Sequence, residues 1–254
     1  MTKPSEQQQH TSTQFAGKMQ RLHELGLFTH EQLTEVELKR IADDVDSEHD
    51  VWWNPKTAAE DGMIDRHGRW VFGDSQELRE GGVGGTFFFM QFFLAKLGVT
   101  LDPVQYLENQ KVHSVIVNGK EYPLYSQAED ADRRYALATV GIMKILNDLL
   151  ESAELAERVY KIGGFYDQDF VFLSQQLFQY LRANEITLWS RKPESFSEIV
   201  TQLHLEQDLA ALQPVNKNPN NGHASPDTFP TRDGFTKKFR LKQRNKLGQP
   251  VRST

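Results

Sequence analysis

Three aspartates and a histidine lie close together in the sequence, at Asp61, Asp65, His67 and Asp74. Carboxylate and imidazole groups ligate metal ions and act as general acids and bases. Their spacing matches neither the zinc-binding H-E-x-x-H motif nor an EF-hand calcium loop. A polar surface turn accounts for the same residue types, and we predict that turn, with no metal site. An acid–base or metal-assisted enzyme that uses these four side chains is the alternative.

A second acidic pair forms the sequence D-x-D, at Asp167 and Asp169. Such pairs hold a divalent cation in some sugar-nucleotide enzymes. Here the pair lies in a predicted hairpin loop, where aspartate is a common turn residue, so we predict turn chemistry. The eight histidines are dispersed, and only His67 and His113 lie near the predicted core. Because the sequence also lacks a G-x-S-x-G nucleophile elbow, we predict no catalytic residue and no cofactor.

The stretch REGGVGGTFFFMQFFLAKLG, residues 79–98, places four glycines directly before a run of five phenylalanines. A P-loop needs a lysine after its glycines, and a dinucleotide-binding loop needs a third glycine where Phe87 stands. The apolar run to Leu97 is too short to cross a bilayer. We therefore predict a glycine turn followed by a buried helix, because apolar residues on every side of a helix are typical of burial. Gly98 is predicted to end that helix.

Composition excludes several kinds of site. The chain has 254 residues and no cysteine, which excludes disulfides, zinc–thiolate sites, iron–sulfur clusters and cysteine nucleophiles. It shows neither an apolar signal region nor a run long enough for a membrane span, so we expect a cytoplasmic protein with no membrane partner. Residues 1–213 carry 20 basic and 33 acidic side chains, whereas residues 214–254 carry nine and two. Because the acidic residues 1–213 would repel phosphates, nucleic acid is an expected partner only for the tail.

The order of patterns along the chain predicts an α+β fold. Residues 1–13 and 214–254 are polar and poor in groups that a core could bury, and we predict that both are disordered. Residues 14–213 are predicted to form a single α+β domain. Its predicted parts are a helical hairpin (14–45), an irregular aromatic region with the buried helix (46–111), and a β-β-α-β-β-α module with an antiparallel or mixed sheet followed by a last helix (112–213).

The prediction of this module depends on local signals. The dipeptide Asn118-Gly119 joins two extended runs and favours a type I′ hairpin turn. Pro123 places the second strand at a sheet edge, since proline cannot donate to a neighbouring strand. The run DADRRYALATVGIMKILNDLLESA has helical periodicity, and Asp130 stands where a helix cap is expected. The run ERVYKIGGFYDQDFVFLS indicates a second hairpin before a helix at 175–183.

The segments VNGKEYPLY and ERVYKIGGFYDQDFVFLSQQLFQYLRAN, with the long helix between them, resemble a module of bacterial immunity proteins. These acidic proteins are encoded beside polymorphic or contact-delivered toxins. The resemblance covers about residues 112–190 and includes no catalytic motif. It implies a protein-binding protein that neutralises a bacterial toxin by stoichiometric binding. An acidic protein fits this interpretation, because negative charge would steer it onto a basic toxin.

Exposed aromatic and acidic side chains are the predicted contacts with such a toxin. Aromatic residues are enriched among the side chains that dominate binding energy at interfaces, and carboxylates complement a basic partner. The residues assigned to this role are Trp52, Trp53, Tyr166, Asp167 and Asp169.

The tail stretch FTKKFRLKQRNKL supports a further alternative function, because basic and apolar residues alternate along it. Its basic side chains would make the protein a polyanion-binding accessory protein. A strap that docks on the acidic residues 1–213 or on a neighbouring copy is another interpretation, and a solvated disordered end is a third. The residues of the polyanion alternative are Lys237, Lys238, Arg240, Lys242 and Arg244.

Overall fold

The computed structural model describes much of the chain between residues 17 and 211, and its helices and strands confirm the α+β class. The described residues are 17–18, 20–28, 50–51, 69–73, 78, 83–102, 104–108, 111–163, 168–188 and 191–211. The predicted disordered ends and residues 29–45 of the predicted helical hairpin lie outside them. The strands are β1 (Asp50–Val51), β2 (Trp70–Gly73), β3 (Gln105–Glu108), β4 (Val112–Val117), β5 (Lys120–Ser126), β6 (Glu157–Ile162), β7 (Gln168–Ser174) and β8 (Thr187–Leu188). The helices are α1 (Gly84–Lys96), α2 (Ala131–Ser152), α3 (Gln175–Ala183), α4 (Phe196–Gln202) and α5 (Glu206–Ala211), and residues 20–24 are also helical.

Two antiparallel sheets of three strands organise the fold, in the orders β2-β7-β6 and β3-β4-β5, and β1 pairs with β8 in parallel. The sequence predicts one sheet for the two hairpins of the module, and this prediction is wrong. The β4–β5 and β6–β7 hairpins belong to different sheets because α2 packs against both β5 and β6. Each hairpin then gains its third strand from the chain that precedes it.

The β4–β5 turn has the predicted conformation and also fixes a neighbouring loop. Asn118 and Gly119 have φ values of 49° and 75°, the positive values that a type I′ turn requires. The Asn118 side chain donates to the carbonyl of Thr100 at 2.9 Å and accepts from the backbone N–H of Asp102 at 2.8 Å. The hairpin therefore positions residues 100–102, which follow α1. Pro123 lies in β5, which is an edge strand as predicted.

Sheet β2-β7-β6 separates two apolar cores. Alternate side chains of β7 point to opposite faces of the sheet. Phe170 and Phe172 enter the larger core, which also holds the apolar faces of α1, α2 and the other sheet. Val171 and Leu173 enter the smaller core, whose other members come from residues 22–28, β6, α3 and residues 186–188. Both faces of this sheet are therefore covered by the described chain.

Arg69 links the two cores. It is 3% exposed, and its guanidinium donates to the carbonyl of Phe172 at 2.7 Å and to the carbonyl of Gly26 at 3.1 Å. Its Cζ also lies 4.9 Å from the ring centre of Phe93. Hydrogen bonds and a ring face compensate a buried cation for lost hydration. The same side chain thus contacts α1 in the larger core and the end of the helical residues 20–24 beside the smaller one.

Helix α1 begins inside the glycine run, which corrects the predicted glycine turn. Gly84 and Gly85 are buried residues of the first helical turn. The helix ends as predicted, with Gly98 at φ 78° and its N–H bonded to the carbonyl of Ala95. Glycine at the start of the helix lets other backbone and side-chain atoms approach closely, since it has no Cβ.

The predicted last helix is two short helices, which is a second correction. His204 has a φ of 52°, and the N–H of Leu205 bonds to the carbonyl of Val200 at 3.0 Å, a Schellman ending. Periodicity alone does not show such a break, because His204 is not a residue that normally marks one. Helices α2 and α3 end in the same way at Glu154 and Glu185, with φ values of 55° and 54°.

Candidate functional site

An apolar pocket of about 250 Å³ lies beside the first turns of α1. The residues before β3 help to enclose this pocket. The helix supplies one wall, and the loop held by Asn118 supplies the other. We call it the α1 pocket. Its lining residues are Gly84, Phe87, Phe88, Gln91, Leu101, Asp102 and Val104.

The sequence of α1 explains why aromatic rings line a surface pocket. The helix is apolar on every side, and its buried side chains, among them Phe87 and Phe93, fill the larger core. The opposite side carries Phe88 and Phe92, whose rings meet edge to face at 5.8 Å. Phe92 is 38% exposed, and no other large apolar side chain of the described residues is as exposed. An aromatic surface is thus continuous with the pocket.

Polar groups of the pocket are few and placed at its edge. The N–H of Gly84 donates to the hydroxyl of Tyr106 at 2.6 Å, so the start of α1 is anchored to β3. Asp102 is exposed and carries the negative charge of the lining, and Gln91 adds an amide. An apolar cavity with a carboxylate at its rim suits an aromatic or aliphatic group that lies next to a cation.

Of the predicted partner-binding residues, Asp169 is the one that the structure describes. It lies in β7, where Ile162 and Phe72 flank it on the neighbouring strands, and it is 9% exposed. The predicted turn role of Asp169 is therefore wrong, because the strand begins earlier than the sequence indicates. The predicted residues outside the described part are Trp52, Trp53, Tyr166 and Asp167.

The other predicted sites also lie outside the described residues. This holds for the acidic cluster with His67 and for the basic side chains of the tail. Within the described ranges, no group of three or more metal-ligating side chains is placed to hold a metal ion. In the same ranges, no helix combines the length and the apolar character that crossing a bilayer requires.

Two further ionisable side chains are buried away from the pocket. His113 is 3% exposed and lies between the rings of Tyr125 at 4.8 Å and Tyr106 at 5.6 Å, in the position near the core that the sequence predicts. Lys161 is satisfied by the carbonyl of Gly163 at 2.8 Å and by Glu194 at 3.1 Å. The two partners of Lys161 account for it as a structural group, since buried polar atoms need such partners.

Sequence reasoning missed the pocket although its signal is present. A helix with apolar residues on every side must be covered on every side, and any uncovered side becomes an apolar surface. The five phenylalanines within seven residues of α1 are the pattern that indicates such a surface. The loop wall, by contrast, depends on a turn that lies 16 residues away from Asp102 in the sequence.

Comparisons with known proteins leave the site to be interpreted from its own chemistry. No protein-family model, no curated protein and no solved structure matches the chain. The aromatic surface, the pocket and the rim carboxylate are therefore the observations from which a function follows.

Proposed function

We propose that the chain is a protein-binding protein, an immunity-type inhibitor that neutralises a bacterial toxin by stoichiometric binding at the α1 pocket. The observation that carries the proposal is the exposed ring of Phe92 beside that pocket. Large aromatic side chains next to pockets are the usual anchors of protein interfaces. The surface comes from a helix, so its rings are already held in place before a partner arrives.

Charge supports a basic partner. Residues 1–213 carry 33 acidic and 20 basic side chains, and Asp102 lies at the rim of the pocket. A negative surface accelerates encounters with a basic protein and disfavours acidic ones. The aromatic surface would then supply affinity for the toxin, while the acidic surface would raise the rate of association and select basic partners. This division of roles fits an inhibitor that must capture a toxin quickly.

Growth rescue tests this function. The chain is co-expressed with the product of the neighbouring toxin gene, and growth is compared with that of cells expressing the toxin alone. We expect rescue by the native chain and a 1:1 complex of the two purified proteins by calorimetry. Absence of both rescue and complex would refute the proposal.

A matched pair of variants tests the assigned surface. Phe92→Glu and Gln179→Glu each place a glutamate at an exposed helical position, the first next to Phe88 of the pocket wall and the second on α3. Loss of an interface hot spot costs about 2 kcal/mol or more, so Phe92→Glu should weaken binding by about 30-fold or more. Gln179→Glu should bind like the native chain. Equal binding by both variants, with unchanged circular dichroism, would place the interface elsewhere.

A further inference from the structure

The C-terminal part of this chain contains the chemistry that the α1 pocket suits. Residues 235–242, FTKKFRLK, place Lys237 two residues before Phe239. In an extended segment, side chains two residues apart point to the same side. The Phe239 ring could therefore enter the pocket while Lys237 reaches its rim.

We propose that residues 235–242, the tail segment, dock in the α1 pocket of the same chain, with the Phe239 ring in the cavity and Lys237 beside Asp102. The docked tail segment would cover Phe92 until a partner displaces it. This regulatory consequence rests on the proposed function, whereas docking itself does not.

The size of the pocket favours a single side chain over a small-molecule ligand. Sites that enclose whole ligands measure about 300–1,000 Å³. The α1 pocket measures about 250 Å³, so it is below that range. Its walls are mostly rings and aliphatic groups, namely those of Phe87, Phe88, Leu101 and Val104. A phenylalanine ring matches this apolar lining.

Charge brings the tail segment towards the pocket. Residues 214–254 have nine basic and two acidic side chains, while residues 1–213 have an excess of acidic ones. Opposite charges attract beyond contact distance and so concentrate the tail near the acidic surface. Asp102 supplies an exposed carboxylate at the pocket itself, where one basic side chain would pair.

The chain is long enough to reach. Between residue 211, the last described one, and the tail segment lie 23 residues. A flexible chain of that length has a typical end-to-end distance of about 27 Å. A domain the size of residues 14–213 has a radius of gyration of about 17 Å. A short flexible linker gives an effective concentration in the millimolar range. An intrinsic Kd of about 1 mM would therefore be enough to fill the pocket about half of the time.

Disulfide trapping in the full chain tests the docking, because the native chain has no cysteine to interfere. The Gln91→Cys, Leu241→Cys variant places one thiol in the pocket wall and one in the tail segment. The matched Gln179→Cys, Leu241→Cys variant moves the first thiol to an exposed position on α3. Under mild oxidation we expect the first variant to form an intramolecular disulfide at least tenfold faster than the second. Adding Phe239→Ser to the first variant should remove that advantage.

Equal rates in the two variants, or faster formation of disulfide-linked dimers than of linked monomers, would overturn intramolecular docking. If Gln91→Cys perturbs the circular dichroism spectrum, Phe92→Cys replaces it, since that side chain is already exposed.

Partner binding separates this proposal from the proposed function. In the full chain, Phe239→Glu with Lys237→Glu should release the tail segment and tighten toxin binding by about twofold or more, since a half-filled pocket halves the apparent affinity. Unchanged toxin affinity would overturn the regulatory role and leave the inhibitor function standing. Fast disulfide formation without any toxin binding or rescue would refute the inhibitor function and leave the docking of the tail segment standing.

Discussion

The larger and the smaller core lie on opposite faces of one sheet but are assembled in different ways. In the larger core, α2 packs against β5, which precedes it, and β6, which follows it. In the smaller core, Leu22, Leu27 and Phe28 pack with side chains from residues 160–188. The larger core is thus centred on a helix and the strands next to it in sequence, although its members extend from Val71 to Leu205. The smaller core joins residues 22–28 to a group of side chains more than 130 residues further along the chain.

Removing one leucine from each core gives the largest expected effect. Leu146 of α2 and Leu177 of α3 are both fully buried. Leucine-to-alanine changes at such sites cost about 2–5 kcal/mol. We expect Leu146→Ala to lie in the upper half of that range, because α2 is surrounded by packed elements that cannot collapse. Leu177→Ala should lie in the lower half, because the short α3 can shift to fill the space.

Urea denaturation followed by circular dichroism and by tryptophan fluorescence measures both variants. Coincident transitions for Leu177→Ala would show that the two cores unfold together. A separate early transition in that variant alone would show that the smaller core is a distinct cooperative unit. The larger and the smaller core would then be two folding units.

Glycine at the helix ends should stabilise both cores by smaller amounts. Glu154 ends α2 and Glu185 ends α3, both with positive φ. A residue with a side chain is strained there by about 1–2 kcal/mol, whereas glycine is not. Glu154→Gly and Glu185→Gly should each raise the free energy of unfolding by about 1 kcal/mol. Glu151→Gly, inside α2, is the control and should lower it by about 1 kcal/mol. A loss of stability in all three variants would contradict the strain argument.

A tyrosine in each core gives the smallest effect at neutral pH and a distinct one in alkali. Burial, aided by Asp148, raises the pKa of Tyr122 to about 12. Burial likewise raises the pKa of Tyr160 to about 12, with Glu198 adding to it and Arg158 opposing it. Each ring then contributes stability that is fully present below about pH 10, where unfolded tyrosine ionises, and is lost as the pH rises through 12.

Tyr122→Phe and Tyr160→Phe should each leave stability near pH 7 almost unchanged and make it fall less steeply above pH 10. Thermal unfolding across this pH range measures the effect. An unchanged alkaline slope in Tyr160→Phe but not in Tyr122→Phe would show that the smaller core opens before its tyrosine ionises.

Local patterns predicted local elements well and gave little information about what covers them. The helix at 175–183, the Asn118-Gly119 turn and the cap at Asp130 were predictable because each depends on a few adjacent residues. The apolar run of β7 fits a strand buried on both faces, yet it does not identify the element on each face. The division into two sheets depends on contacts of α2 with both hairpins, which no short pattern encodes.

The pocket shows the same limit. The phenylalanine run predicted a buried helix, and most of α1 is buried, but the exposure of Phe92 depends on how far the neighbouring elements extend. The wall at Leu101 and Asp102 depends on a hydrogen bond from a distant hairpin turn. A pocket is a property of the space between elements, so the sequence did not predict that it exists. The aromatic residues of its wall, by contrast, were visible in the sequence.

The wide sequence separation inside the smaller core has a consequence during synthesis. Leu22, Leu27 and Phe28 emerge from the ribosome more than 130 residues before their first partner strand, β6, is complete. At about 5–20 residues per second, that delay is about 7–26 s. For this time the three side chains form an apolar stretch without its native cover, which is the kind of segment that chaperones bind. Formation of the smaller core therefore depends on protection of these three side chains in the nascent chain.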